Sequence, residues 1–412
     1  MMSRRWLEQE GRSWSEKGII TSDQYKRILD LYPEQKRAIG LIPLLGSILV
    51  GLGILSFVAA NWQVIPQLLR LSIIILAMIA FYITGDRLLK KDHHNLGIAL
   101  ISLGLITFGA GIILIAQMFH LTAYDATSII VWGSAGLLLT YLYTSRYLFL
   151  LTLLVFTGSQ LYSTTEFNHF SYVSFVIMGV GLGFYWWNNK NETIGWGLAL
   201  SVTLQFLLLV TSNAWPFTWF FIPVWLLYAG VDWLKDRRTV YPFQAVTLIA
   251  AFVFNLFIIL FWSNDDISSF HHGLAANSLI YCSLLILLLG LSLTGKARNN
   301  RLSSSLDWVL AIPFFYLNNG IDVLYLLTLF TFSLYLLWRG YAEEWRLKIN
   351  LGTLLFLCST MTAYGKLAWG FMDKSIFFIL GGLILLALSW FLNRRKKQFL
   401  ADVEEDNDHE HK

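Results

Sequence analysis

Apolar runs of roughly 16 to 23 residues recur along this chain, separated by short bursts of charge. This pattern constrains the fold more than any motif does. A helix needs about 20 apolar residues to cross a hydrocarbon core about 30 Å thick. Inside lipid, backbone N–H and C=O groups must pair within the protein, which leaves helices or closed barrels. Barrel strands alternate polar and apolar residues over about 10 positions. Runs such as SIIILAMIAF and LLILLLGLSL do not alternate. The expected fold is therefore all-α, a polytopic bundle of membrane helices. Composition agrees: only 14% of the residues are charged, against about 25% in a typical soluble domain.

The apolar segments fall at 39–60, 67–85, 96–118, 128–144, 147–163, 170–187, 193–211, 216–231, 243–262, 274–294, 302–318, 321–338, 347–365 and 375–392, which predicts about 14 spans, or 12–14. The weakest is 302–318, short and interrupted by Asp307 and Pro313, which either spans or is re-entrant with 321–338. The distribution of Lys and Arg tests the series, because cytoplasmic connections carry the excess. With the N-terminus inside, 27 of the 30 basic residues fall on inner segments, and only Arg70, Lys366 and Lys374 fall outside. A miscounted segment would scramble this alternation. Both termini are accordingly expected in the cytoplasm.

Three regions follow: a polar segment 1–38, the multi-span region 39–392, and a tail 393–412 that begins basic and ends acidic. Residues 1–38 hold no apolar core of a cleavable signal, so the first span is expected to serve as the membrane signal. They read instead as a cytosolic helical hairpin. Thr21 and Gln24 have capping-box spacing, Ile20 and Tyr25 that of a hydrophobic staple, and Tyr25, Ile28, Leu29 and Tyr32 form one apolar face. The tail reads as solvated and disordered.

Charges stand at segment ends or in connections, and no acid, Lys or Arg lies near the middle of an assigned span. Intramembrane ionisable groups are what ion-coupled carriers usually need, so ion coupling is not expected. The neutral polar residues Gln160, Gln205, Gln244, Asn255 and Asn277 read as interhelical hydrogen-bonding groups. Small-xxx-small spacings at Ser47/Gly51, Gly179/Gly183 and Gly197/Ser201 would allow close helix contact.

The outer connections are short, aromatic and nearly free of basic residues. Interfacial solvation accounts for most of their Trp and Tyr. It accounts less well for Asn61 beside Trp62, and for Gln117 and His120 at helical spacing near the outer end of the third span. These four, with Tyr124, form the candidate ligand-binding group. A metal site from Glu166/His169 and His271/His272 would join pairs distant in sequence without a zinc signature. No metal, other cofactor or catalytic residue is expected. Cys282 and Cys358 lack CxxC spacing. No nucleotide-, hydrolase- or metalloprotease-type motif occurs, and nothing points to nucleic acid.

Three blocks, WLEQEGRSWSEKGIITSDQYKRIL, GSILVGLGILSFVAANWQVIPQLLRL and GAGIILIAQMFHLTAYDATSIIVWG, resemble the bacterial membrane-protein family called domain of unknown function 2157 (DUF2157), over roughly residues 4–160. The resemblance implies a short cytosolic helical pair followed by spans in a bacterial cytoplasmic membrane. It hands over no catalytic residues. The function expected is transport-like, or handling of a neutral or lipid-like small molecule. The alternatives are a scaffold or sensor that signals through a cytosolic protein bound at residues 1–38, and an envelope glycan or lipid transferase.

Overall fold

A computed structural model describes residues 37–60, 66–261, 278–317 and 320–368, together with isolated positions in 11–28 and 379–386. Asn61, Trp62, His271, His272, Asn277, most of the segment 375–392 and the tail lie outside the described residues. Every regular element among the described residues is helical. The α-helices are α1 (Arg37–Ala60), α2 (Gln67–Lys90), α3 (His94–Met118), α4 (Thr127–Tyr143), α5 (Arg146–Phe167), α6 (Tyr172–Asn189), α7 (Glu192–Ser212), α8 (Phe221–Val231), α9 (Arg237–Phe261), α10 (Ser278–Arg298), α11 (Ile321–Ala342) and α12 (Arg346–Ala368). Seven contain stretches long and apolar enough to cross a membrane, namely α2, α3, α5, α7, α9, α10 and α11. The protein is thus a polytopic α-helical membrane protein. Boundaries track the apolar runs closely, because the charged bursts and turn residues that end a run also end a helix.

The chain divides into two compact units, one of residues 1–123 and 134–151, the other of 124–133 and 152–412. In the first, α3 is the central element, with Ile101, Leu105, Ala110 and Leu114 fully buried. It packs against α2 through two glycines. A Cβ on Gly85 would lie 3.0 Å from the Gly97 carbonyl, and one on Gly97 would lie 2.9 Å from the Gly85 carbonyl. Backbones can approach this closely only where neither residue has a side chain. Of the anticipated small-residue pairs, Ser47/Gly51 packs: Ser47 is buried and Gly51 abuts Ile106 of α3. Gly179 and Gly183 face open space. Helix α2 turns Leu68, Leu69 and Leu76 outward, a face that suits lipid. In the polar N-terminal segment, the Thr21 N–H donates to Gln24 Oε1 and the Gln24 N–H donates to Thr21 Oγ1. The Tyr25 ring covers Gly11.

In the second unit a seam of neutral polar groups joins α5, α6 and α7. Thr157 and Ser201 share a hydroxyl hydrogen bond of 2.6 Å, and Gln205 Nε2 donates to Met178 Sδ at 2.8 Å. The larger core gathers around Trp225, Tyr228, Tyr281, Trp308, Tyr325 and Phe332. Cys282 and Cys358 are free thiols.

A short 3-10 turn, Phe217–Phe220, leads into α8, and segment 302–317 departs from the α-helix over most of its length. Residues Leu302–Ala311 form a 3-10 helix, Ile312 is extended, and Phe314–Tyr316 form another 3-10 turn. The segment lies against α11 between Tyr335 and Tyr325. At one end the Tyr335 hydroxyl of α11 donates to the Ser303 carbonyl. At the other, the Phe315 N–H donates to the hydroxyl of Tyr325, near the start of α11. Non-α backbone at membrane depth is tolerated only where protein surrounds it. Here Asn255 Nδ2 donates to the Leu310 carbonyl at 3.0 Å and Lys296 Nζ to the Ser304 carbonyl at 2.7 Å. Pro313 has no N–H to satisfy and forces the break.

The cation Lys366, assigned to the outer side, is held locally. It lies 3.1 Å from Asp322 Oδ2 and donates to the Ile259 carbonyl.

Candidate functional site

Two polar pairs at i, i+4 spacing sit in the last turns of facing apolar helices. Tyr228 and Asp232 lie at the end of α8, and Ser292 and Lys296 at the end of α10. Residues four apart project from one helix face, so each pair points the same way. The 3-10 segment brings Asp307 and Trp308 between them. All six side chains are buried.

Burial of charge costs several kcal/mol per ion unless partners replace water, and here the partners come from separate elements. Lys296 Nζ donates to the Tyr228 hydroxyl at 3.0 Å and lies 3.9 Å from Asp232 Oδ2. The Tyr228 hydroxyl donates to Asp307 Oδ2. Asp232 accepts hydrogen bonds from Ser292 Oγ and from Gln244 Nε2 of α9, the latter at 2.6 Å. The Trp308 indole N–H donates to Ser292 Oγ at 2.9 Å. Asn299 Nδ2 caps the Asp232 carbonyl at 2.8 Å. Burial pushes the Asp232 carboxyl up to about 6, against the opposing pull of Lys296, Ser292 and Gln244.

This network corrects the expectation that charges avoid the interior of the bundle. Asp307 lies in the middle of its segment, and Lys296 and Asp232, although at helix ends, are completely buried. The segment-end positions suggested solvated charges. Packing of the 3-10 segment over both helix ends removes them from solvent.

Beside the network lies a cavity of about 340 Å³, within the range of small-molecule sites. Its walls are α9, the 3-10 segment, α11 and α12. One end is polar, with Arg301, Arg339, Glu343 and Lys348, and Asp307 also lines the space. The other end is apolar, formed by Leu248, Phe332, Leu336, Leu351 and Leu355. Glu343 bridges Arg339 Nε at 2.7 Å and Lys348 Nζ at 2.6 Å. Burial alone would raise its carboxyl, but these two cations outweigh burial and hold it below the usual range. Tyr241 and Trp345 stack beside this end with centroids 4.3 Å apart. A second cavity of about 330 Å³ is lined by Trp186, Trp187, Trp233, Lys190 and Lys235, a composition usual at a membrane interface.

The anticipated ligand residues stand elsewhere. Gln117 is exposed in the last turn of α3. His120 is exposed just beyond, its N–H bonded to the Gln117 carbonyl at 3.4 Å. Its φ of 50° is left-handed, a conformation in which His, Asn and Asp are enriched, so the turn itself gives His120 a structural role. Tyr124 is 87% exposed and belongs to the other unit. Neither cavity is lined by Gln117, His120 or Tyr124. Of the residues considered for a metal, Glu166 and His169 are described, and among the described residues no three His, Cys, Asp or Glu side chains converge. Gln205, Gln244 and Asn255 act as the interhelical hydrogen-bonding groups anticipated for them.

Comparison with known proteins places residues 12–149 under the family model described as predicted membrane protein (DUF2157). No curated protein and no solved structure matches the chain.

Proposed function

We propose that this membrane protein handles a lipid-like small molecule with an acidic headgroup, held in the cavity walled by α9, the 3-10 segment, α11 and α12. The observation that carries this reading is the polarity of the cavity: a cationic and amide-bearing end continuous with an apolar end. Counted formally, Arg301, Arg339 and Lys348 exceed Asp307 and Glu343 by one positive charge. A headgroup of negative charge would find hydrogen-bond donors there, and its chain would displace water from Leu248, Leu336 and Leu355. The reading keeps the lipid-like ligand and sets aside the neutral one. It also moves the ligand from the outer face to the Lys- and Arg-rich end, which would face the cytoplasm under the positive-inside rule.

Gln117, His120 and Tyr124 remain the outer-face proposal, with less support because they line neither of the two cavities described. A sensor signalling through the N-terminal segment is the second reading. It draws on the reciprocal Thr21–Gln24 capping bonds and on Tyr25 packed over Gly11, which give that segment helical contacts of its own.

Leu336→Trp tests the cavity reading, since the larger ring fills the apolar end. Mass spectrometry of the purified protein is expected to detect an anionic amphiphile bound to the wild type. The variant should retain at least about tenfold less, equivalent to a loss of ~1.4 kcal/mol. Equal retention by a folded variant would refute the cavity as its site.

A further inference from the structure

We infer that Asp232, Lys296, Tyr228 and Asp307 form a proton-binding site that takes up a single proton from the adjoining cavity. The charge arithmetic is local. The inner group holds two carboxylates and one ammonium, all buried. Lys296 Nζ stands 3.9 Å from Asp232 Oδ2 and reaches Asp307 through the Tyr228 hydroxyl. With both acids ionised, one negative charge is left over in a region of low dielectric. Like charges sharing such a site cannot both stay ionised at low cost, and one takes a proton.

The groups facing this pair can be named element by element. From α8 and its end come Tyr228 and Asp232; from α9, Gln244; from α10, Ser292 and Lys296. The 3-10 segment contributes Asp307, Trp308 and the Ser304 carbonyl. Helix α11 contributes Tyr335 and Arg339, with Glu343 at its end, and α12 contributes Lys348. Arg339 does not balance the surplus alone. Its Nε is bonded to Glu343 and its Nη1 to the Tyr335 hydroxyl at 3.2 Å, and Glu343 also holds Lys348. These three outer charges sit at the polar end of the cavity, where they are engaged with one another.

Asp307 lines the cavity, as does Gln244, which holds Asp232. A proton therefore has an entry that needs no backbone opening. A hydronium ion in the cavity gives its proton to a carboxylate oxygen, an O–H bond forms, and water remains; nothing is oxidised or reduced. The elevated carboxyl of Asp232 is consistent with this. One consequence rests on the proposed function: a protonated pair repels an anionic headgroup less, so ligand binding would draw a proton in.

Infrared difference spectroscopy on the full-length protein in lipid nanodiscs tests the site without any ligand. Titration from about pH 8 to about pH 4.5 should raise the C=O band of a buried carboxylic acid. Asp232→Asn and Asp307→Asn should each abolish the band, because removing either acid removes the surplus charge and leaves the other paired with Lys296. Asp322→Asn, at the far end of α11, should leave it intact. Absence of the band in the wild type refutes the site, as does its persistence in both Asp232→Asn and Asp307→Asn. If either of those variants fails to fold, the wild-type titration alone decides. Loss of the Leu336→Trp ligand with the infrared band retained would separate the two proposals.

Discussion

Lys296→Met is expected to destabilise the protein by about 3–5 kcal/mol at neutral to alkaline pH, and to recover much of that loss on acidification. The substitution leaves Asp232 and Asp307 buried without their ammonium, and leaves the Ser304 carbonyl without its donor. The carboxyl of Asp232 already stands at about 6 in the folded protein, above its ordinary 3.8. An acid raised in this way binds more protons folded than unfolded between those two values. Its ionisation therefore costs stability as pH rises through that window, and protonation restores stability as pH falls. Without Lys296 the push from burial loses its main opponent, so the window extends upward and the swing grows. Thermal unfolding in detergent, followed at several pH values, checks the prediction. A loss of stability independent of pH would show that Lys296 acts through packing alone.

Gly340→Val is expected to separate α11 from α12 and to cost about 3 kcal/mol or more, at the upper end of overpacking penalties. A Cβ at this position would lie 2.9 Å from the Ile349 backbone N and 3.2 Å from the Lys348 carbonyl carbon. Neither atom belongs to a flexible side chain that could swing aside. The same helix pair repeats the device at Gly352, where a Cβ would meet the Leu337 backbone N at 3.0 Å. Since Lys348 and Leu351 line the cavity beside Arg339 and Leu336, displacement of α12 should also open it. Size-exclusion profiles and unfolding temperatures of Gly340→Val and Gly340→Ala provide the check. The smaller substitution should fall between wild type and valine; indistinguishable stabilities for all three would contradict close backbone packing at this crossing.

Much of the helical layout was legible because the run of apolar residues and the run of helix coincide in a membrane protein. The predicted segment 128–144 became Thr127–Tyr143, and 193–211 became Glu192–Ser212. Segment 302–318 was correctly the weakest, since Asp307 and Pro313 mark a backbone that is not α-helical, but which conformation it takes depends on Asn255, Lys296, Tyr325 and Tyr335, all distant in sequence. The buried network escaped for a related reason. Asp232 and Lys296 each look like an ordinary charge at the end of a span, and only the packing of α8, α9, α10 and the 3-10 segment unites them. The helical spacing of Tyr228 with Asp232 and of Ser292 with Lys296 was the available signal. Glycine contacts were hard to read for the opposite reason: Gly85 meets Gly97 across two helices, a pairing that no spacing within one helix reveals, while Gly179 and Gly183, four apart, meet nothing.

Central to the ligand site is a cavity open to water at the basic end of the second unit. Labelling of a single cysteine measures this most directly. Ser303 lines the cavity and is exposed, so Ser303→Cys would be placed in a background where Cys282 and Cys358 are replaced. A membrane-impermeant thiol reagent should modify it in inside-out vesicles and leave it untouched in intact cells. Modification from the outside of intact cells would reverse the orientation and contradict a cytoplasmic ligand site.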